Sequence, residues 1–207
     1  MLPSIKCDEL ARYLQERANC DGFSKHFFQI GPLSITLAIE PRCADLGFTV
    51  PLGLSAVQVA APLMSDLTLF VMQLPKKPWD SILQALLTDK ASTLSHFVHA
   101  TDAMPVIIKD TKRRILKVFD QKNGIGLLAF DERNLLPSWE LFSPIKEFIH
   151  LHALNQSCLL LHAASLVFPD RPERGTLIVG PGGSGKSTLT AYGVEQGMLT
   201  NGDDYVL

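Results

Sequence analysis

Residues 180–187 read Gly180-Pro181-Gly182-Gly183-Ser184-Gly185-Lys186-Ser187. This octapeptide matches the phosphate-binding pattern G-x-x-x-x-G-K-[ST] at every fixed position. An apolar run at 176–179 precedes it and predicts a buried strand, and residues 188–192 can begin a helix. The sequence therefore predicts a strand, a phosphate loop and a helix in that order. A glycine-rich turn that contains Lys-Ser by chance is the alternative, and both flanking segments count against it.

The residue types suit a triphosphate. Glycine allows positive φ and leaves backbone N–H groups open to an anion, and the following helix directs its positive end at the same phosphates. Lys186 can reach the outer phosphate oxygens, and the Ser187 hydroxyl is a hard oxygen ligand suited to Mg²⁺. We therefore predict that ATP and Mg²⁺ bind at residues 180–188, which end at Thr188.

Composition excludes several other classes of protein. The chain has 207 residues and a formal net charge of −2, which disfavours broad binding to nucleic acids or anionic membranes. Its four cysteines lack metal-site spacing. Charged residues follow Met1 too soon for a signal peptide, and no apolar run approaches the roughly 18 to 20 residues of a spanning helix. We expect a soluble cytoplasmic protein.

The first part of the chain predicts a mixed module of helices and strands. Apolar residues every four positions predict a helix over 8–20, and alternation predicts strands at 33–39 and 67–71. Helical spacing recurs at 79–87, and Val106 begins another apolar strand. Two apolar runs flank Asn123-Gly124, a dipeptide typical of the type I′ hairpin turn. We predict an α+β module over residues 1–135.

A second module is predicted from 136 to 207. Ser143-Pro144 favours the start of a helix, because a hydroxyl caps it and proline suits its first turn. Residues 158–167 then predict an apolar strand, and residues 169–175 a polar turn before the strand of the phosphate loop. We place the domain boundary near residue 135.

Two further features flank the loop. His162 interrupts the strand 158–167, where a hydrogen-bonded core histidine and a catalytic histidine are both open readings. Asp203 and Asp204 follow a short strand-like segment, and Asp203 lies seventeen positions after Lys186. An acidic residue at the end of a neighbouring strand often helps to hold Mg²⁺, so this pair can serve if its strand lies beside the loop strand. A plain polar turn is the alternative.

This arrangement resembles the HPr serine kinase/phosphorylase-related family. The resemblance rests on three stretches between about Ser143 and Leu207: Leu161-His162-Ala163-Ala164, Ile178 to Thr188, and Gly202-Asp203-Asp204-Tyr205. It implies an α/β P-loop domain of the HPr kinase/PEP carboxykinase-like type. The region from Phe28 to Val71 is a weaker match to the variable N-terminal module of such relatives.

The family assigns roles to these residues. The resemblance implies that the loop, Lys186 included, binds ATP, that Asp203 and Asp204 hold Mg²⁺ and activate a serine hydroxyl, and that His162 lines the active site. HPr kinases proper carry glycine and glutamate where this chain has Ala163 and Thr188, which indicates a different substrate.

The expected function is therefore phosphoryl transfer from ATP to a hydroxyl, most plausibly a serine of a protein or peptide. An inactive nucleotide-binding regulatory module and a plain ATPase are the alternatives. Because the family continues beyond the acidic pair, we expect a truncated domain, completed by further chain, another polypeptide or a homo-oligomer.

Overall fold

The computed structural model describes residues 7–20, 22–45, 58–60, 65–74, 105–110, 112–132, 136–142, 145–200, 202–204 and 206. The chain divides into two compact units, residues 1–152 and 153–207. The predicted helix at 79–87 lies outside the described residues. No helix in the described part of the chain is long and apolar enough to cross a membrane.

The described residues of the first unit form four helices and six strands. The helices are α1 (Cys7–Cys20), α2 (Pro41–Asp45), α3 (Ser138–Phe142) and α4 (Lys146–Asn155), of which α4 continues past residue 152. The strands are β1 (Ser24–Ile30), β2 (Leu33–Ile39), β3 (Leu67–Gln73), β4 (Val106–Asp110), β5 (Ile115–Asp120) and β6 (Ile125–Phe130). The predictions of α1, β2, β3, β4 and the β5–β6 hairpin are confirmed.

These strands form one mixed sheet in the order β1-β2-β3-β6-β5-β4. The central pairs β2–β3 and β3–β6 are parallel, whereas β1–β2, β6–β5 and β5–β4 are antiparallel. Strands β5 and β6 are buried along nearly their whole length, as expected when both faces of a sheet are covered. The unit is therefore a mixed α/β domain, in agreement with the coarse fold class.

Helix α1 covers one face of this sheet. The register aligns Ala38, Phe70, Leu127 and Val118 across four strands, and all four are buried in one cluster with Leu14 of α1. Leu14 belongs to a series of apolar residues that repeat every four positions in the sequence, which explains why this helix was predictable.

Helix α4 covers the other face. Leu69, Gly126 and Phe119 are aligned across β3, β6 and β5, and the Phe148 ring lies edge-on to Phe119 with 6.0 Å between centroids. A Cβ atom on Gly126 would lie 2.4 Å from Leu69 Cδ2 and 2.8 Å from Phe148 Cδ1. Only glycine therefore allows α4 to approach the sheet so closely.

The predicted boundary near residue 135 differs from the division at 152. Residues 136–152 carry buried side chains of the first unit, and two of their carboxylates pair with a lysine of β5. The Nζ atom of Lys117 lies 2.7 Å from Glu140 and 2.8 Å from Glu147. These contacts attach α3 and α4 to the sheet, although a change of composition near Pro137 suggested a new domain.

The turn between β5 and β6 also differs from the prediction. A type I′ turn requires positive φ at both central residues. Here only Gly124 has positive φ (62°), and the Asp120 carboxylate accepts hydrogen bonds from the Asn123 backbone N–H and side-chain amide. The side-chain bonds favour a longer turn over residues 121–124, so the predicted turn type is wrong.

The second unit is built on a short antiparallel pair. Strand β7 (Ala164–Val167) pairs with β8 (Gly175–Ile178), and α5 (Lys186–Glu195) follows the phosphate loop. Strand β7 is shorter than the predicted strand over 158–167. The other edge of β7 meets residues near the end of the chain: Val167 bridges to Leu199, and the Ser165 N–H donates to the Gly202 carbonyl. Leu161, just before β7, bridges to Val206. Strand β7 therefore lies between β8 and this acidic segment.

Candidate functional site

The phosphate loop has the backbone geometry that its glycines predict. Gly183 and Gly185 have φ of 75° and 90°, and Gly185 is the N-cap of α5. Such angles are unfavourable for residues with a side chain. A Cβ atom on Gly180 would also lie 2.7 Å from Ser184 Oγ, so the two ends of the loop approach closely. The loop is a compact turn between β8 and α5.

Lys186 lies across this turn. Its side chain is buried, and Nζ donates hydrogen bonds to the carbonyl oxygens of Gly180 at 3.0 Å and Pro181 at 3.2 Å. Its own carbonyl accepts a hydrogen bond from Thr190 Oγ1 at 2.9 Å. The ammonium group is thus held over the loop, where it can add positive charge to the backbone amides.

Most of those amides are open. The Ser184 N–H donates to the carbonyl of Pro181. Among the described residues, no acceptor is found for the N–H groups of Gly182, Gly183, Gly185 or of the first residues of α5. Unpaired donors at a helix N-terminus, reinforced by the helix dipole, form an anion-binding surface. The loop therefore offers several donors and one cation to a single anionic group.

Ser187 and Thr188 occupy the first turn of α5 with exposed side chains. The Ser187 hydroxyl can serve as an oxygen ligand for a cation beside the loop. No group of three or more histidine, cysteine, aspartate or glutamate side chains in the described residues could hold a metal ion by itself. A cation here would need substrate oxygens in addition to protein ligands, which is how Mg²⁺ is commonly bound with phosphates.

His162 and Asp204 are brought together. His162 Nε2 lies 3.0 Å from Asp204 Oδ1, and their side chains are 52% and 65% exposed. Because both side chains are exposed to solvent, the hypothesis that His162 is a buried core histidine is wrong. The pair is instead a surface constellation of a nitrogen base and a carboxylate, the types of group that move protons in catalysis.

Asp203 lies beside this pair with an exposed side chain. The described part of the chain contains no direct contact from Asp203 or Asp204 to Lys186 or Ser187. The structure therefore joins the histidine to one aspartate and leaves the phosphate loop as a separate cluster.

The strand register explains both placements. Ala164 pairs with Ile178, just before the loop, and the Leu161–Val206 bridge lies near Asp204. The loop and the acidic segment consequently lie at the same end of β7, on opposite edges. Two strand spacings amount to roughly 9–10 Å between their backbones. The acidic segment thus neighbours β7, not the loop strand β8 as considered from the sequence.

Sequence reasoning missed one close contact in this unit. Gly193 lies in the last turn of α5, and a Cβ atom there would lie 2.6 Å from Leu166 Cδ1 of β7. A glycine inside a predicted helix was the available signal, because glycine disfavours helix interiors and usually has a packing reason there.

Comparisons with known proteins identify no relative. No family model, no curated protein and no solved structure matches this chain.

Proposed function

We propose that this protein binds ATP with Mg²⁺ through residues 180–188 and transfers the γ-phosphoryl group to a hydroxyl, that of a serine in a protein or peptide. The proposal includes an HPr-kinase-like P-loop fold for the second unit. One observation carries it: a phosphate loop and a histidine–aspartate pair lie at the same end of β7.

The positive charge of Lys186 and the backbone N–H groups of the loop support binding of the triphosphate. Lys186 Nζ contacts the carbonyl oxygens at the start of the loop, and several loop amides have no acceptor among the described residues. Charge-assisted hydrogen bonds to phosphate are stronger than neutral ones. On binding, Lys186 would exchange its two carbonyl acceptors for phosphate oxygens. The same donors would stabilise negative charge that develops during transfer.

The residues present fit Mg²⁺. The Ser187 hydroxyl and the exposed Asp203 carboxylate are hard oxygen ligands, and phosphate oxygens would complete the set. When bound, the cation supplies charge neutralisation to the phosphates. We assign Asp203 to this role because Asp204 already contacts His162.

Asp204 and His162 would act on the acceptor. A carboxylate within reach of the hydroxyl can accept its proton as the oxygen attacks the γ-phosphorus, while the bond to the leaving phosphate oxygen breaks. His162 would orient Asp204 through the 3.0 Å contact. The acceptor must approach from solvent, which suits a serine on another polypeptide.

A plain ATPase is the second candidate. The high exposure of His162 and Asp204 gives water the same access to Asp204 as a protein hydroxyl would have. Water would then replace the serine, and free phosphate would be the product. An inactive nucleotide-binding module keeps the loop without using the pair.

The test uses the full chain, radiolabelled Mg·ATP and extracts that contain candidate acceptors. A labelled protein supports the kinase, free phosphate alone supports the ATPase, and binding without turnover supports the inactive module. Lys186→Ala should weaken ATP binding about 10- to 100-fold, because it removes charge-assisted hydrogen bonds. Lys112→Ala, at an exposed turn of the first unit, is the matched control. Unchanged affinity in Lys186→Ala would contradict nucleotide binding at this loop.

The two aspartates separate the assigned roles. Asp204→Asn should abolish transfer and retain Mg·ATP binding, whereas Asp203→Asn should weaken the dependence of ATP binding on Mg²⁺. The opposite pattern would exchange the two roles. Normal transfer in both variants would remove the acidic pair from the mechanism.

A further inference from the structure

Gly193 is a buried glycine in the last turn of α5, a helix of ten residues. Glycine is among the poorest residues for a helix interior, because its backbone loses the most freedom on ordering. Its φ is not in the left-handed region that would require glycine. The reason for glycine at this position must therefore be sought in packing.

Leu166 of β7 supplies that reason. A Cβ atom on Gly193 would lie 2.6 Å from Leu166 Cδ1, 2.9 Å from Cδ2 and 3.3 Å from Cγ. Ordinary van der Waals contacts of a Cβ atom begin near 3.4 Å. Leu166 is 5% exposed, so its side chain is enclosed on the strand. Helix α5 thus lies closer to β7 than any residue with a side chain would allow.

This contact matters because β7 fixes both ends of the phosphate loop. The Ala164–Ile178 pair holds the end of β8, from which the loop departs. The Gly193–Leu166 contact holds α5, which begins at Lys186. The chain returns to β7 after the helix, where the Met198 N–H donates to the Gly193 carbonyl and Leu199 pairs with Val167.

We propose that Gly193 is a positioning residue for the nucleotide site. Its missing side chain sets the distance from α5 to β7, and thereby the place of Lys186 Nζ and the first-turn amides relative to the start of the loop. Residue 193 lies about 10 Å along the helix axis from Lys186, so a rigid helix transmits a displacement at one to the other. The inference rests on the proposed binding of Mg·ATP.

The test compares four full-length variants with the natural chain: Gly193→Ala, Leu166→Val, the double variant, and Val194→Ala as the control. Val194 is exposed on the same helix, and valine at 166 removes the two closest atoms. Dissociation constants for Mg·ATP come from titration calorimetry below every melting midpoint, with circular dichroism to verify folding. Gly193→Ala should raise the constant about tenfold or more, since misplacement near 1 Å is costly. The double variant should recover most of the loss, and Val194→Ala should change little.

A purely structural role predicts otherwise. It would lower the melting midpoint of Gly193→Ala and leave the affinity of the folded protein unchanged, which overturns the proposal. Weakened binding that Leu166→Val does not rescue also overturns it. If Gly193→Ala fails to fold, Leu166→Phe adds bulk at the same contact from the strand side: weaker Mg·ATP binding by its folded form supports the proposal, and an affinity equal to that of the natural chain overturns it. Lys186→Ala should cost less in the Gly193→Ala background. If the natural chain itself does not bind Mg·ATP, the proposed function fails first, and that result is distinct.

Discussion

Replacing Lys117 by methionine would test the buried ion cluster that attaches α3 and α4 to the sheet. The Lys117 side chain is 3% exposed, and Nζ donates to Glu140 Oε1 at 2.7 Å and to Glu147 Oε2 at 2.8 Å. Glu140 Oε2 is also 2.7 Å away but outside hydrogen-bonding geometry, so it is held by charge alone. Methionine retains the length of the side chain and removes the cation.

Lys117→Met should lower the free energy of unfolding strongly, because it removes the cation and leaves its carboxylate partners in place. Glu147 is partly exposed and can turn to solvent, whereas Glu140 stays buried without its cation. Removal of one partner from a buried ion pair typically lowers the free energy of unfolding by about 3–5 kcal/mol, whereas apolar replacement of both partners is often neutral. Lys117→Met should therefore lose about 3–5 kcal/mol, and Lys117→Met with Glu140→Leu should recover most of it.

The loss should also depend on pH. Burial raises the pKa of Glu140, and Lys117 opposes that rise. A raised pKa means that the folded state retains a proton which the unfolded state has released, so the free energy of unfolding falls as pH rises between the two values. Without Lys117 this range extends upward. The destabilisation should consequently be smaller at pH 5 than at pH 8.

Urea unfolding followed by circular dichroism at both pH values measures these changes. Lys112→Met, at an exposed turn, is the control and should change stability by about 0.5 kcal/mol or less. The reasoning is refuted if Lys117→Met loses the same amount at both pH values, or if the double variant is no more stable than the single one.

Two further predictions concern the same unit. Gly126→Ala should lower the free energy of unfolding by about 1–3 kcal/mol, because the new Cβ would meet Leu69 Cδ2 at 2.4 Å and Phe148 Cδ1 at 2.8 Å; urea unfolding measures it, and an unchanged midpoint would contradict the close packing of α4. Burial lowers the pKa of His152, and neither ring nitrogen makes a hydrogen bond to another described residue. The unfolded state therefore binds a proton at a higher pH than the folded state does. The free energy of unfolding should fall as pH drops below about 6.5. His152→Leu should flatten that pH dependence, and an unaltered slope in thermal melts from pH 7 to pH 5 would exclude His152 as its source.

Much of the first unit was predictable because its signals are local. Leu14 and its neighbours repeat with helical spacing, and β2 and β3 alternate as half-buried strands do. Strand β1 was missed because Ser24, Lys25, His26 and Gln29 dilute its apolar pattern at the outer position of the sheet. The strand order was also out of reach, since it depends on pairing between distant segments and not on local propensity.

The domain boundary shows the same limit. A proline and a new helical pattern near residue 137 are local signs of a domain boundary, and the sequence therefore predicts one there. What attaches residues 136–152 to the first unit is the pairing of Lys117 with Glu140 and Glu147, across 23 and 30 residues of sequence. No local pattern in β5 or in residues 136–152 indicates that these side chains pair.

The candidate site contains one feature that follows from local sequence and one that depends on pairing between distant segments. The backbone turn at residues 180–187 was predictable because eight adjacent residues carry its geometry, including the glycines with positive φ at 183 and 185, whereas phosphate binding there stays a prediction. The partner of His162 was not, because Asp204 is 42 positions away and reaches it only through the pairing of residues 199–206 with β7. A shift of that segment by one residue would bring Asp203 to His162 instead. The proposed distinction between the two aspartates therefore depends on the Leu161–Val206 register, and any change that weakens this bridge should blur their proposed roles before it alters the proposed nucleotide binding at the loop.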